Sequence, residues 1–182
     1  GGCRERIEAI LRGALEGGRA QLLESEVYTI LRAIEIPTPR FAVLPVDASE
    51  SDRLRIAAEM AAPPKPAGVV VKIQSPDILH KTEVGGISFA PADPAAIARS
   101  AEEVVASVRR RVPAAALSGV LLCEKIPYEA HLPGNELLLS LRQDPALGPI
   151  VVVGIGGILT EWYGKLAPNR TTWVLSAHDP IF

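Results

Sequence analysis

The sequence predicts an α+β fold, and three observations carry that prediction. Helical periodicity dominates the beginning of the chain, short β-branched runs then alternate with further helices, and the glycine- and proline-rich stretches fall between these runs rather than within them. Helices first, then mixed strands and helices, suits α+β, with α/β as the alternative. Hydrophobic residues make up 48% of the 182 residues and aromatic residues only 4%, so the core is expected to be aliphatic.

The elements follow in order. Residues 4–16 read as a helix with Ile7, Ile10, Leu11 and Leu15 on one face, stopped by Gly17 and Gly18. A second helix is expected over 20–34, where Leu23, Val27, Ile30, Leu31 and Ile34 recur at helical spacing before Pro37 and Pro39. Residues 40–46 form a strand, and 49–61 a third helix with Leu54, Ile56, Ala57 and Met60 on its apolar side. Pro63, Pro64 and Pro66 make a stiff link that lacks backbone donors. A β-branched strand over 68–73 contains Lys72, residues 75–86 form a loop, and 87–90 return as a strand. Asp93 followed by Pro94 starts a helix, a capping side chain before a proline at the first helical position. Ile97, Ala101, Val104, Val105, Val108 and Val112 give that helix a buried stripe. Strands are expected at 119–126, 136–141, 150–155 and 172–175, with a turn at Gln143, Asp144 and Pro145. The expected domain limits are 1–46 for the first helices and strand, 47–125 for a lobe carrying the 75–86 loop, and 126–182 for the start of a second lobe.

Charge and composition narrow the function. A net charge of -2 without a clustered basic surface argues against a nucleic-acid protein. Arg109, Arg110 and Arg111 suit a helix C-terminus, where positive charge complements the dipole. No apolar run approaches the roughly 18 residues of a membrane span, and no apolar stretch of a secretory signal follows the first residues. Cys3 and Cys123 match no metal spacing and define no disulfide framework, so a reduced, cytoplasmic protein is expected, with Cys123 as a buried small hydrophobe.

Four segments carry candidate chemistry. Lys72 lies in an apolar strand, so its ammonium must either snorkel to solvent or meet an anion such as phosphate. Residues 75–86 combine Ser75, His80, Lys81, Gly85 and Gly86. Backbone N–H groups of such a loop can make an anion-binding concavity, and His80 can accept a phosphoryl group or exchange a proton. An inert, exposed connection is the alternative. The strand 151–153 runs into Gly154, Gly156 and Gly157, which bring a backbone near phosphate or simply form a tight turn. Glu124 at a strand end and Glu136 at the next strand start can meet a base and a ribose, or remain surface glutamates.

Taken as an ordered set, these segments resemble the ATP-grasp domain of the ADP-forming (NDP-forming) acyl-CoA synthetases, relatives of succinyl-CoA synthetase. The resemblance covers about residues 20–168. It rests on Leu22-Leu23-Glu24-Ser25-Glu26 with Ile36-Pro37, VVVKIQSPDILHKTEVGGI at 69–87, GVLLCEKI at 119–126, GNELLLSLRQDPALGPIVVVGIGGILTE at 134–161, and Leu166-Ala167-Pro168.

The resemblance implies an ATP-grasp fold, with ATP between two lobes of mixed sheet and helices. Lys72 would contact the nucleotide phosphates, and Ser75, Lys81, Gly85 and Gly86 would line their path. Glu124 and the Lys125–Ile126 backbone would meet adenine, and Glu136 the ribose. His80 matches a loop histidine with a role in receiving the phosphoryl group. Gly156, Gly157 and Glu161 would lie where a phosphohistidine carrier on a CoA-binding domain or subunit docks. The full enzymes join a carboxylic acid to CoA at the expense of ATP, or run in reverse, and assemble from several chains. Magnesium would be held by an ExDxNP segment and a later aspartate, neither of which is in this sequence, so the C-terminal lobe is expected to be incomplete here and the chain inactive alone. Trp162, Tyr163, Gly164 and Lys165 also depart from the family's acidic and arginine positions. The favoured expectation is a catalytic part of a larger synthetase. The alternatives are a nucleotide-binding regulatory module, for example one fused to an acetyltransferase, and a purely structural domain.

Overall fold

A computed structural model describes residues 2–128, 136–157, 164–165 and 172–176. Its elements are α1 (Cys3–Glu16), α2 (Glu24–Ala33), β1 (Phe41–Leu44), α3 (Glu50–Ala61), β2 (Val69–Gln74), β3 (Ile87–Ala90), α4 (Pro94–Arg111), β4 (Gly119–Glu124), β5 (Leu137–Asp144), β6 (Gly148–Ile155) and β7 (Thr172–Ser176). They form two compact units, residues 1–126 and 127–182.

In the first unit a four-stranded antiparallel sheet has the order β1-β4-β2-β3. The first strand of the expected 1–46 segment thus joins the strands of the 47–125 segment in one sheet. Alternation along the strands sends side chains to two faces. Val69, Val71 and Ile73 of β2 and Val120 and Leu122 of β4 pack with Met60 of α3 and with Ile97, Val104 and Val108 of α4. The other face of β2 carries Val70, Lys72 and Gln74, opposite Cys123, Leu121 and Gly119 of β4. Helix α2 reaches this second face through Glu24 and Ser25.

Local chemistry sets the helix ends. Ser49 Oγ accepts from Asp52 N at 3.1 Å, and Asp93 Oδ1 accepts from Ala96 N at 2.9 Å with Pro94 behind it, as the capping residues predict. Helix α2 starts at Glu24, not at residue 20 as the periodicity suggests. Gly18 adopts φ +67°, Arg19 N donates back to Ala14 O at 2.9 Å, and Leu23 N donates to Glu26 Oε2 at 2.7 Å. The first of these bonds closes α1 and the last caps α2, leaving the residues between them as a connection. Helix α1 also differs from expectation. It buries Ala14, while Leu15 is 74% exposed, so the apolar face inferred from Ile7, Ile10, Leu11 and Leu15 stays largely open.

The second unit contains the antiparallel sheet β5-β6-β7. Residues 145–147 link β5 to β6. Asp144 Oδ1 accepts from Ala146 N at 2.8 Å and Leu147 N at 2.9 Å, and these donors hold its carboxyl below the ordinary value. The strands extend beyond the expected limits because this hairpin pairs continuously from Leu137↔Ile155 to Asp144↔Gly148. Leu141 of β5 is 76% exposed despite its apolar side chain.

Candidate functional site

Lys72 sits on β2, which has β4 on one side and β3 on the other. That removes the picture of a lysine on a solvated sheet edge. Its Nζ lies 2.6 Å from Glu24 Oε1, with the side chains 22% and 26% exposed. The same carboxylate oxygen accepts from Tyr28 Oη at 2.9 Å, and the Cys123 thiol approaches Tyr28 Oη at 3.9 Å. Burial first, then the Glu24 charge, push the Tyr28 hydroxyl well above its ordinary pKa, so it remains a donor. Burial likewise raises the Cys123 thiol, against the opposing pull of the Lys72 charge.

A cavity of about 540 Å³ opens beside this network. Residues 17–24 form one wall and residues 74–79 with Lys81 the other, so Glu24, Ser75 and Lys81 border a common space. The volume lies within the roughly 300–1,000 Å³ range of small-molecule sites.

The loop over 75–86 is anchored from within. Ile78 joins the core cluster, Ser75 Oγ accepts from Asp77 N at 3.1 Å, and Asp77 Oδ2 accepts from Ala116 N at 2.7 Å. Gly86 N donates to Lys81 O at 2.7 Å, Gly85 N to Thr82 O at 3.1 Å, and Glu83 N to His80 O at 3.3 Å. These three amides close the turn. Gly85 has φ +64°, and a Cβ there would collide with Ser107 Oγ; at Gly86 a Cβ would lie 2.6 Å from Ile73 Cγ2. The two glycines shape the loop and let it lie against α4 and β2. His80 is exposed, and Lys81 is partly buried on the cavity wall.

The first unit does not bring every expected residue together. Glu124 pairs across from Val69, three residues along β2 from Lys72, or about 10 Å at strand rise. Alternation places it on the face of Val120 and Leu122, opposite that of Lys72. Glu124 Oε2 accepts from Arg40 N at 3.1 Å, Glu124 N donates to Arg40 O at 2.8 Å, and Lys125 N donates to Gly68 O at 2.9 Å. Ile126 is exposed at the end of this unit.

The second unit gathers Glu136, Gly156 and Gly157. Gly156 N donates to Glu136 O at 2.9 Å. Gly157 has φ +78°, and the Glu136 carboxylate fills the space a Cβ would need there. Tyr128 bonds to Glu136, and that bond is the main reason its hydroxyl titrates above the ordinary value. Glu161, Leu166, Ala167 and Pro168 lie outside the described residues.

Sequence reasoning assigned no role to Glu24, Tyr28 or Gln74. The segment containing Glu24 was visible, but 48 residues separate it from Lys72, and no local pattern signals that contact. Phosphate groups fit the donor chemistry of Ser75 and Lys81 on the cavity wall, with Lys72 bonded to the lining residue Glu24. Among the described residues no group of three or more His, Cys, Asp or Glu could hold a metal ion by itself. Among the described residues no helix is long and apolar enough to cross a membrane.

Comparison with known proteins supports an ATP-grasp fold. The family model described as "ATP-grasp domain" matches residues 13–171. ADP-forming acetate–CoA ligase I of Archaeoglobus fulgidus is 30% identical over 158 residues, which are 87% of this chain and 21% of that protein. The beta subunit of ADP-forming acetate–CoA ligase I from Pyrococcus furiosus is 30% identical over 153 residues, covering 82% of this chain and 60% of the subunit. The solved dinucleotide-forming acetyl-coenzyme A synthetase 1 of Ca. Korarchaeum cryptofilum, in complex with coenzyme A, Ca-AMPCP and HgCl+, superposes with a TM-score of 0.72 at 31% identity, covering 93% of this chain and 66% of that one. The chain therefore spans about a fifth of the first relative and three fifths of the second. With its lysine strand, its glycine-shaped loop and a family match across most of its length, the chain belongs to the ATP-grasp domain family.

Proposed function

We propose that this chain is the nucleotide-gripping part of an ADP-forming acyl-CoA synthetase. The observation that carries the proposal is a cavity lined by Glu24, Ser75 and Lys81, with Lys72 bonded to Glu24 behind that wall. Two lysines and a hydroxyl suit the oxygens of a nucleotide polyphosphate. The similarity to acetate–CoA ligases supports acid–CoA ligation as the reaction of the whole protein.

In this reading the phosphoryl group passes between ATP and a histidine on a CoA-binding domain or partner subunit, and ADP leaves. Such transfer depends on positioning and charge neutralisation more than on covalent work by the protein. Lys72 and Lys81 hold the phosphates, Ser75 donates to them, and Gly85 and Gly86 keep the loop in shape. Exposed His80 lies where a carrier can approach it and accepts a phosphoryl group or moves a proton. Ile126 borders the adenine, Glu136 bonds the ribose, and Gly156, Gly157 and Glu161 form the carrier's docking region. Glu124 contributes to the base site at the end of β4, where its side chain and backbone both bond to Arg40. Magnesium, when bound, supplies further neutralisation of phosphate charge; its ligands belong to residues other than those described. The protein works in the cytoplasm within an oligomer.

Calorimetric titration with ATP and ADP, with and without magnesium, tests the binding step. Addition of the CoA-binding partner, acid, CoA and ATP tests thioester formation. Binding followed by thioester production is the expected result. Failure to bind either nucleotide overturns the proposal. Nucleotide binding with no product in the presence of a complete partner set favours the regulatory-module reading instead.

A further inference from the structure

We propose that Glu24 is a positioning residue for Lys72: it holds the ammonium at the cavity margin with its remaining donors free for a nucleotide phosphate. This rests on the reading of Lys72 as a phosphate contact. An ammonium has three N–H donors and no acceptor. The 2.6 Å bond to Glu24 Oε1 uses one and leaves two. Lys72 does not itself line the cavity; Glu24 does, and the bond between them ties the ammonium to a residue of the cavity wall. Both side chains keep about a quarter of their surface accessible, enough for a ligand to reach the pair. A free lysine side chain would have to be ordered when the phosphate arrives, whereas a side chain already fixed avoids part of that cost.

Glu24 is itself held by a built scaffold. Tyr28 Oη, one turn further along α2, donates to the same oxygen at 2.9 Å. Ser25 N donates to the buried Gln74 Oε1 at 3.0 Å, which ties the first turn of α2 to β2 two residues from Lys72. Arg19 grips Glu26 with two bonds of 2.7 and 2.6 Å, and Glu26 Oε2 also accepts from Leu23 N at 2.7 Å. The carboxylate therefore reaches Lys72 from a fixed helix end.

The charge of Glu24 alone opposes a phosphate, so the sign of a variant's effect separates an orienting carboxylate from a blocking one. The test is calorimetric titration of the intact protein with ADP and with adenosine, alongside thermal melts, for wild type, Lys72→Ala, Glu24→Ala, Glu24→Gln and Tyr28→Phe. Glu24→Ala is expected to weaken ADP binding roughly tenfold while leaving adenosine binding unchanged. Glu24→Gln retains an acceptor and should recover part of the loss, and Tyr28→Phe should lose less than Glu24→Ala. If Glu24→Ala does not fold, the ADP-to-adenosine ratio of Glu24→Gln and Tyr28→Phe decides, with both expected below wild type. Wild-type or tighter ADP binding in the Glu24 variants, beside a loss in Lys72→Ala, overturns the positioning role and leaves Lys72 as a phosphate contact. Equal losses for ADP and adenosine mark Glu24 as merely structural and also overturn it. No effect of Lys72→Ala removes the underlying reading and the proposal with it.

Discussion

The Ser107 hydroxyl occupies the space that a Cβ on Gly85 would enter, and it donates to the neighbouring Val84 O at 3.3 Å. Helix α4 thus holds the end of the loop by a contact that requires glycine. Arg111, one turn on, donates to Glu83 O at 3.0 Å and reinforces the same attachment.

Gly85→Ala should therefore destabilise the protein by about 1–3 kcal/mol, from the left-handed backbone together with displacement of the Ser107 side chain. Ser107→Ala in the same background should recover only the steric part, because φ +64° remains unfavourable for alanine. Urea unfolding of the two variants measures both contributions. An unchanged midpoint in Gly85→Ala would show that the loop does not depend on this glycine.

A second prediction concerns pH. The bonds from Arg19 are the main cause holding the Glu26 carboxyl below its ordinary value, with the Leu23 N–H helping and burial opposing. A carboxyl lowered in the folded state stabilises the fold above its unfolded pKa of about 4.3, and that contribution fades as pH falls through the lower folded value. Glu26→Gln should cost about 1 kcal/mol at pH 7 and progressively less below pH ~4. Denaturant midpoints of both proteins between pH 7 and pH 3 check this. A difference that widens as the pH falls contradicts the sign.

The legibility of these features in the sequence follows the range of the interactions. Ser49, Asp93 and Pro94 announce their helix ends because a cap is satisfied within three residues. The buried stripe of α4 was readable for the same reason, since periodicity reports on one helix at a time. The start of α2 was misplaced because leucine and isoleucine spacing says nothing about a connection closed by Arg19, Gly18 and the Glu26 cap. At the candidate site, Lys72 and the loop stood out by composition, whereas Glu24 is brought to Lys72 by packing of α2 across the sheet. The place of Glu124 at a strand end suggests a base contact; only the β2–β4 register shows that its side chain faces away from Lys72.

The two cysteines should differ sharply in reactivity. Cys3 is exposed, while Cys123 is 3% exposed and its thiol is raised by burial, which lowers its thiolate fraction. A thiol-reactive dye should label Cys3 rapidly in the native protein and Cys123 only on unfolding. Peptide mapping identifies the modified residue. Rapid native labelling of Cys123 would mean that the sheet face under α2 opens readily.

Glu35 offers a route to greater stability. It follows the α2 cap residue Ile34 with φ 62°, the one positive value at a non-glycine residue among the described residues, while Ile36 N donates back to Leu31 O at 2.9 Å. This is the position after a helix where glycine is favoured, because a left-handed backbone brings a Cβ too close to a carbonyl oxygen. No hydrogen bond or ion pair of the Glu35 side chain enters the candidate site, so the substitution tests backbone energy with little else changed. Glu35→Gly should stabilise the fold by about 1 kcal/mol, net of the added flexibility of the unfolded chain. The thermal midpoint should rise by a few degrees, with ADP affinity unchanged. A lower midpoint would show that the entropy lost by glycine on folding outweighs the strain it removes.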